Sequence, residues 1–371
     1  MEQNYRIRID HPFTVVAVGH ILLFSLAFLY ILLSGTSLDI EILKITFIVG
    51  VYLLSFYFGT RVDLDLSKFR YPIFFCIVLL SFYGSYTSTR SFLLSIVYTV
   101  IISSVAEGYV RYYVRYRERI DFSGIMVFLG VTLFLLSILI KGGIPLLNYD
   151  IRKSLTNDPI TLITAGSLIY AGVPRFFLVS LPCLILMGYR WYVIILCVAY
   201  MLYQYREGKV RLIHFIFLGA ILLIFSGFMG KIILSSSKQV WKLNALELIP
   251  YRAYFDLKVF DMIVKHEGFL LGKVTFLPLG HVILSKELFG YSHNITSTMF
   301  GSLYMDFGMF GVIFSFILGM LSSRLYISLD DNIYSIYAAL LLAMCEIGIN
   351  YAFLVSVLIL SYFSLGKSEK G

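Results

Sequence analysis

Tyr291-Ser-His-Asn-Ile-Thr-Ser-Thr-Met-Phe-Gly-Ser-Leu-Tyr-Met-Asp-Phe-Gly-Met-Phe-Gly311 is the stretch on which the reading of this chain turns. A polar run carrying His293, Asn294, Thr296 and Thr298 passes directly into an apolar helix that continues to Ser322. Gly301, Gly308, Gly311 and Gly319 punctuate that helix, and small residues of this kind let membrane helices pack closely. A polar loop, Ser236 to Thr298, therefore feeds a membrane span, with Asp306 inside the span.

The composition extends this reading to the whole chain. Of 371 residues, 59% are hydrophobic and 14% charged, against about 25% charged in soluble domains; the mean hydropathy is +0.86. The fold class is an all-α polytopic membrane protein. Cys76, Cys183, Cys197 and Cys345 lie in apolar runs without a C-x-x-C pair, which argues for buried thiols rather than a disulfide framework or metal site. The net charge of +8 is spread over short loops, a pattern that reports topology and anionic lipid rather than nucleic acid. No cleavable signal peptide is expected, because the run from Phe13 to Ser34 is long enough to span.

Apolar runs predict spans near 13–34, 40–59, 71–88, 91–110, 122–140, 159–189, 190–204, 211–235, 299–322, 333–348 and 350–365. Pro174-Arg175 falls in the middle of 159–189, and a break there gives about twelve transmembrane helices. Charge favours that count. Arg6 and Arg8, the loops with Arg61, Lys68 and Arg70, with Arg111 to Arg119 and with Arg206 to Arg211, and Lys367 then all lie inside. Residues 1–371 form a single membrane domain whose polar loops, 141–160 and 236–298, are external.

No G-x-x-x-x-G-K-[ST], strand-borne G-x-G-x-x-G or H-E-x-x-H occurs, so nucleotide hydrolysis and zinc proteolysis lose their support. Asp63-Leu-Asp65 has the spacing of a metal-nucleotide site but sits in a short basic loop on the inner side, and it reads as solvated. In the first external loop, Gly142-Gly143 and Pro145 force a turn at the membrane edge. Asp150 and Arg152 follow it, either as interfacial anchors or as groups aimed at an anionic substrate. A guanidinium suits the second role because its planar fork binds phosphate oxygens in pairs. In the second loop, Arg252 and Asp256 share a helix face and read either as an intrahelical ion pair or as an inward pair; Lys258, Asp261 and Lys265 form a solvated stripe. His293, flanked by Asn294, Thr296 and Thr298, is preferred over His281 and His266 as a proton acceptor. Lys44, Glu107, Arg175, Lys231, Asp306 and Glu346 are ionisable groups within apolar runs, which usually face a cavity or a partner. Asp306, beside Tyr304, is the strongest of these.

Two stretches carry a family likeness: Gly142-Gly-Ile-Pro-Leu-Leu147 with Arg152, and Ile295-Thr-Ser-Thr298 with Gly301-Ser-Leu-Tyr-Met-Asp306-Phe-Gly-Met-Phe-Gly311. With the order of spans and the late large loop, the chain resembles the Wzy-type oligosaccharide repeat unit polymerases, and O-antigen ligases share that architecture. The resemblance implies a metal-independent membrane glycosyltransferase of GT-C type, without cofactor. Such an enzyme moves glycan from a polyprenyl diphosphate carrier to another lipid-linked unit at the outer face of the inner (plasma) membrane. It implies that Arg152 and Arg252 hold the diphosphate, with His293 or Asp306 activating the acceptor. Asp150, Asp256, Asn294, Thr296, Thr298, Tyr304 and His281 are expected around the substrate. Expected partners are the lipid-linked oligosaccharide, membrane lipids, a flippase and a chain-length regulator. The alternative is a transporter or flippase of a lipid-linked glycan or small anion, using Lys44, Arg175, Lys231, Asp306 and Glu346 as an internal path.

Overall fold

A computed structural model describes residues 8–35, 40–63, 65–116, 122–155, 158–236 and 243–368, and every regular element among them is helical. The early apolar runs become α1 (Pro12–Ser34), α2 (Ile42–Thr60), α3 (Arg70–Thr89), α4 (Phe92–Tyr116) and α5 (Phe122–Lys141). The first polar loop carries α6 (Tyr149–Leu155); α7 (Pro159–Ala171), α8 (Phe177–Leu186), α9 (Arg190–Arg206) and α10 (Leu212–Ser236) follow. The second polar loop holds α11 (Leu248–Lys265) and α12 (Gly280–Phe289). The chain closes with α13 (Met299–Phe307), α14 (Gly311–Ser328), α15 (Asp331–Ile347) and α16 (Tyr351–Ser368). Six stretches are long and apolar enough to cross a membrane: Pro12–Ser34, Ile42–Thr60, Phe122–Lys141, Ile160–Leu186, Leu212–Ser236 and Met299–Ser328. Leu33, Phe47, Phe128, Leu139 and Phe217 on these helices are exposed, as suits side chains that face lipid rather than water. The chain is a polytopic membrane protein. Arg6, Arg117, Arg119, Lys238 and Lys242 lie outside the described residues.

The stretch around Pro174 departs from the expected pair of spans. Gly172–Phe176 is a π-helical turn, after which the chain doubles back. Met187 and Tyr189 line the same small cavity as Thr161 and Thr164, and the Leu146 N–H donates to the Leu186 carbonyl at 3.0 Å. A straight helix over these residues would hold its ends about 40 Å apart. The arms α7 and α8, of 13 and 10 residues, reach about 20 and 15 Å, short of the roughly 30 Å hydrocarbon core. They form a helical hairpin whose two ends lie together. Because the hairpin leaves by the end at which it entered, both polar loops still meet at one end of the bundle.

The other revision is at Gly308. The expected continuous helix from 299 to 322 is interrupted by a 3₁₀ turn, Gly308–Phe310. Gly308 takes φ +54°, open to glycine, and its carbonyl accepts from the Tyr52 hydroxyl at 2.5 Å. Beyond the break α14 packs along α2 at backbone distance. A Cβ on Gly319 would lie 2.2 Å from the Phe56 carbonyl oxygen, and Ser315 donates to the Tyr52 carbonyl at 2.9 Å.

Helices α9 and α15 run antiparallel and are tied at both ends. At one end Arg190 Nη2 lies 3.4 Å from Glu346 Oε1. At the other, Arg206 meets Asp331 at 2.5 Å and Asp10 at 2.9 Å, with its guanidinium over the Tyr334 ring at 4.7 Å. Asp10 is fully buried, so this cluster also pins the start of α1.

Candidate functional site

Between the two polar loops, at the Arg190 end of the α9–α15 pair, lies a cleft of about 600 Å³. Arg152, Arg190 and Arg252, from three distant segments, all line it. Each is placed by local chemistry. Asn148 Oδ1 accepts the N–H groups of Asp150 and Ile151 at 3.0 and 3.2 Å, the side-chain cap that starts α6. Tyr189 then donates its hydroxyl to the Arg152 carbonyl at 2.7 Å, joining α6 to the chain leaving the hairpin. Gly188, at φ +76°, lets Leu146 and Arg152 approach; a Cβ there would sit 3.0 Å from Leu146 Cα. Arg190 and Trp191 line the cleft from the first turn of α9.

Arg252 lies on α11, which is seated on α1 through Tyr30, whose ring meets those of Tyr251 and Tyr254. Its Nη2 donates to Thr296 Oγ1 at 2.8 Å, and Thr296 in turn donates to the Asp256 carboxylate. Arg252 Nε is 3.7 Å from both Asp256 Oδ1 and Glu346 Oε1. Three guanidinium groups thus face two carboxylates, leaving the cleft positive. Tyr291, His293 and Asn294 also line the cleft, as do Tyr189 and Trp191.

Burial is the main influence on Asp256, which has no exposed surface. It pushes the carboxyl up to about 7; Glu346 pushes the same way, while Arg252, the Thr296 hydrogen bond and Arg190 oppose it. A carboxyl whose pKa rises on folding contributes stability that is complete below the unfolded value of 3.8 and is lost as pH climbs through about 7. The thermal midpoint of the wild type is therefore expected to fall as pH rises from about 4 to about 7 and to level off above that, and Asp256→Asn to flatten that fall. An equal decline in the variant would assign it to other groups.

A family model described as "Putative O-antigen polymerase" matches residues 8–362. The chain belongs to that family. It is 40% identical over 369 residues to the uncharacterized protein MJ0420 of Methanocaldococcus jannaschii, covering 98% of this chain and 94% of that one. No solved structure matches it. Membership of the O-antigen polymerase family brings a membrane glycosyltransferase-type role in polysaccharide synthesis.

In this O-antigen polymerase family member, Arg152, Arg252, His293 and Asn294 line one cleft, and the other expected residues do not line it. Thr296 and Asp256 stand one layer behind, where they orient Arg252. Asp306 is remote and fully buried, with its carboxylate accepting the N–H groups of Val274 and Thr275 at 3.1 and 2.7 Å. It clasps the turn at Val274 and Thr275 and lies outside the cleft. Thr298 caps α13, accepting from Gly301 N–H at 3.3 Å. Its own N–H donates to the Glu346 carbonyl at 3.2 Å, holding the 295–298 run against the end of α15. Thr298 adopts φ +63° and ψ 161°, costly for a β-branched residue and kept by these contacts. His281 packs near Gly348, where burial pulls its pKa down. Tyr304 packs against Phe260, and Asp150 is exposed beyond the cleft. Nor is Asp261 solvated: it accepts the Glu41 N–H at 3.0 Å and pairs with Lys265 at 2.7 Å.

Sequence reasoning missed Arg190 as a site residue and placed Glu346 only on a transport path. The available signal was Tyr189-Arg190-Trp191-Tyr192, a polar aromatic knot between two apolar runs. Among the described residues, no three His, Cys, Asp or Glu side chains are grouped to hold a metal.

Proposed function

We propose that the cleft binds the diphosphate of a polyprenyl-diphosphate-linked oligosaccharide and transfers its glycan to the sugar of a second lipid-linked unit. The convergence of Arg152, Arg190 and Arg252 is the observation that supports this. Directly adjoining, and sharing Arg190 and Trp191 with the cleft, is a second cavity of about 230 Å³ walled by Leu22, Leu26, Ile194 and Leu222. A charged cleft above an apolar one suits a diphosphate carrying an isoprenoid tail. In the transfer the acceptor hydroxyl attacks the anomeric carbon, the bond from that carbon to the diphosphate oxygen breaks, and the diphosphate leaves with the electron pair. The arginines stabilise the charge gained by the leaving group, most strongly in the transition state. His293 takes the acceptor proton and Asn294 orients the sugar.

On this reading the membrane helices belong to a GT-C-type architecture, which the all-helical fold with six apolar stretches long enough to cross a membrane supports. Arg61, Lys68, Arg70, Arg206, Lys209, Arg211 and Arg324 gather at the end away from the cleft, so the positive-inside rule turns the cleft outward from the inner membrane. A flippase supplying outward-facing donor and a chain-length regulator are the partners this orientation calls for. Two residues of the alternative transport path are engaged elsewhere: Lys44 pairs with Glu41 at 3.5 Å, and Asp306 is clasped by the Val274 and Thr275 amides.

Purified protein given lipid-linked repeat units is expected to produce longer glycans, and to do so in EDTA. Movement of the substrate across a vesicle membrane without any change in glycan length would overturn the proposal.

A further inference from the structure

Glu346 lies in the last turn of α15, where the outward-facing carbonyls of a helix end disfavour a carboxylate. Its side chain is only 22% exposed. Two guanidiniums offset this setting: Oε1 lies 3.4 Å from Arg190 Nη2 and 3.7 Å from Arg252 Nε. One oxygen shared by arginines from two different helices is the arrangement a phosphate oxygen takes when gripped from two sides. The transfer chemistry has no use for a carboxylate there, since it repels an arriving diphosphate. Glu346 also borders the 230 Å³ cavity that adjoins the cleft, so its carboxylate stands at the junction of the two.

On the reading of the cleft as a diphosphate site, we propose that Glu346 is a built-in stand-in for the ligand. In the empty site it holds Arg190 and Arg252 converged on one point. The incoming diphosphate takes over those guanidiniums and displaces the carboxylate. After transfer the returning carboxylate competes for the same donors and speeds release of the carrier diphosphate. Glu346 is thus a positioning residue that trades affinity for turnover.

The test measures inorganic pyrophosphate binding to the full-length protein at fixed ionic strength by calorimetry, with glycan extension followed in parallel. Glu346→Gln keeps the shape and the acceptor oxygen but removes the charge. It is expected to bind pyrophosphate about tenfold more tightly and to lower KM and kcat together, because product leaves slowly. If Glu346 only braces the arginines, E346Q and Glu346→Ala both bind pyrophosphate more weakly; that result, or unchanged affinity in E346Q, overturns the proposal. Should E346A fail to fold, E346Q alone decides the sign. Arg252→Ala is the control for the underlying reading: unchanged pyrophosphate affinity in that variant removes the diphosphate assignment, whatever E346Q does.

Discussion

Replacing Arg252 with alanine is expected to lower glycan extension by at least about 100-fold, the loss seen when a single fixed donor to a developing negative charge is removed. The guanidinium is preorganised: Thr296 receives one of its N–H groups, and Asp256 and Glu346 hold Nε from two helices. A lysine at this position keeps the charge but loses the planar fork, so Arg252→Lys should recover only part of the rate. The loss should be chemical rather than structural. Removing Arg252 leaves Asp256 buried, but that carboxyl already titrates near 7 and becomes neutral instead of standing as an uncompensated charge. The thermal midpoint near neutral pH should therefore barely move, while extension of lipid-linked units, followed by gel mobility, falls to near background. Extension at the wild-type rate would remove Arg252 from the machinery.

Asp306→Ala is expected to do the reverse. Its carboxylate is fully buried and satisfies the Val274 and Thr275 N–H groups, which lose their acceptor when the side chain is shortened. Each orphaned donor costs about 1–3 kcal/mol, so about 2–6 kcal/mol is at stake, enough to unfold a marginal protein. The variant should melt earlier and express poorly, with any folded fraction retaining its activity per molecule. A stable, inactive variant would instead return Asp306 to the chemistry. Asp306→Asn preserves one acceptor oxygen and should fall between the two.

Much of this was legible in the sequence because lipid imposes simple rules. Apolar length and basic residues were enough to identify the helices and to bring Lys141–Ile160 and Ser236–Thr298 to one end of the bundle. The hairpin at Pro174 was half legible: proline marks a break, but whether the two arms cross or return depends on packing, seen here in Gly172 against Ser180 and Leu196. Within the site, Arg152 and Arg252 stood out as guanidiniums in polar loops. Arg190 did not, because at a span boundary it looked like an ordinary interfacial anchor. Asp306 misled for a related reason. A carboxylate near the start of an apolar helix has the same one-dimensional appearance whether it faces a substrate or clasps a turn 30 residues upstream, and only the Val274 and Thr275 amides distinguish the cases.

The pairing of α9 with α15 has a mechanical consequence. Joined at head and foot by charge pairs, the two helices behave as one strut, about 25 Å long for the 17 residues of each. Arg190 and Glu346 ride on one tip, and Arg206, Asp331 and Asp10 anchor the other. A thicker or thinner bilayer tilts such a strut as a whole instead of stretching it. When the strut tilts, the two tip residues therefore keep their spacing to each other and shift together relative to Arg252 on α11.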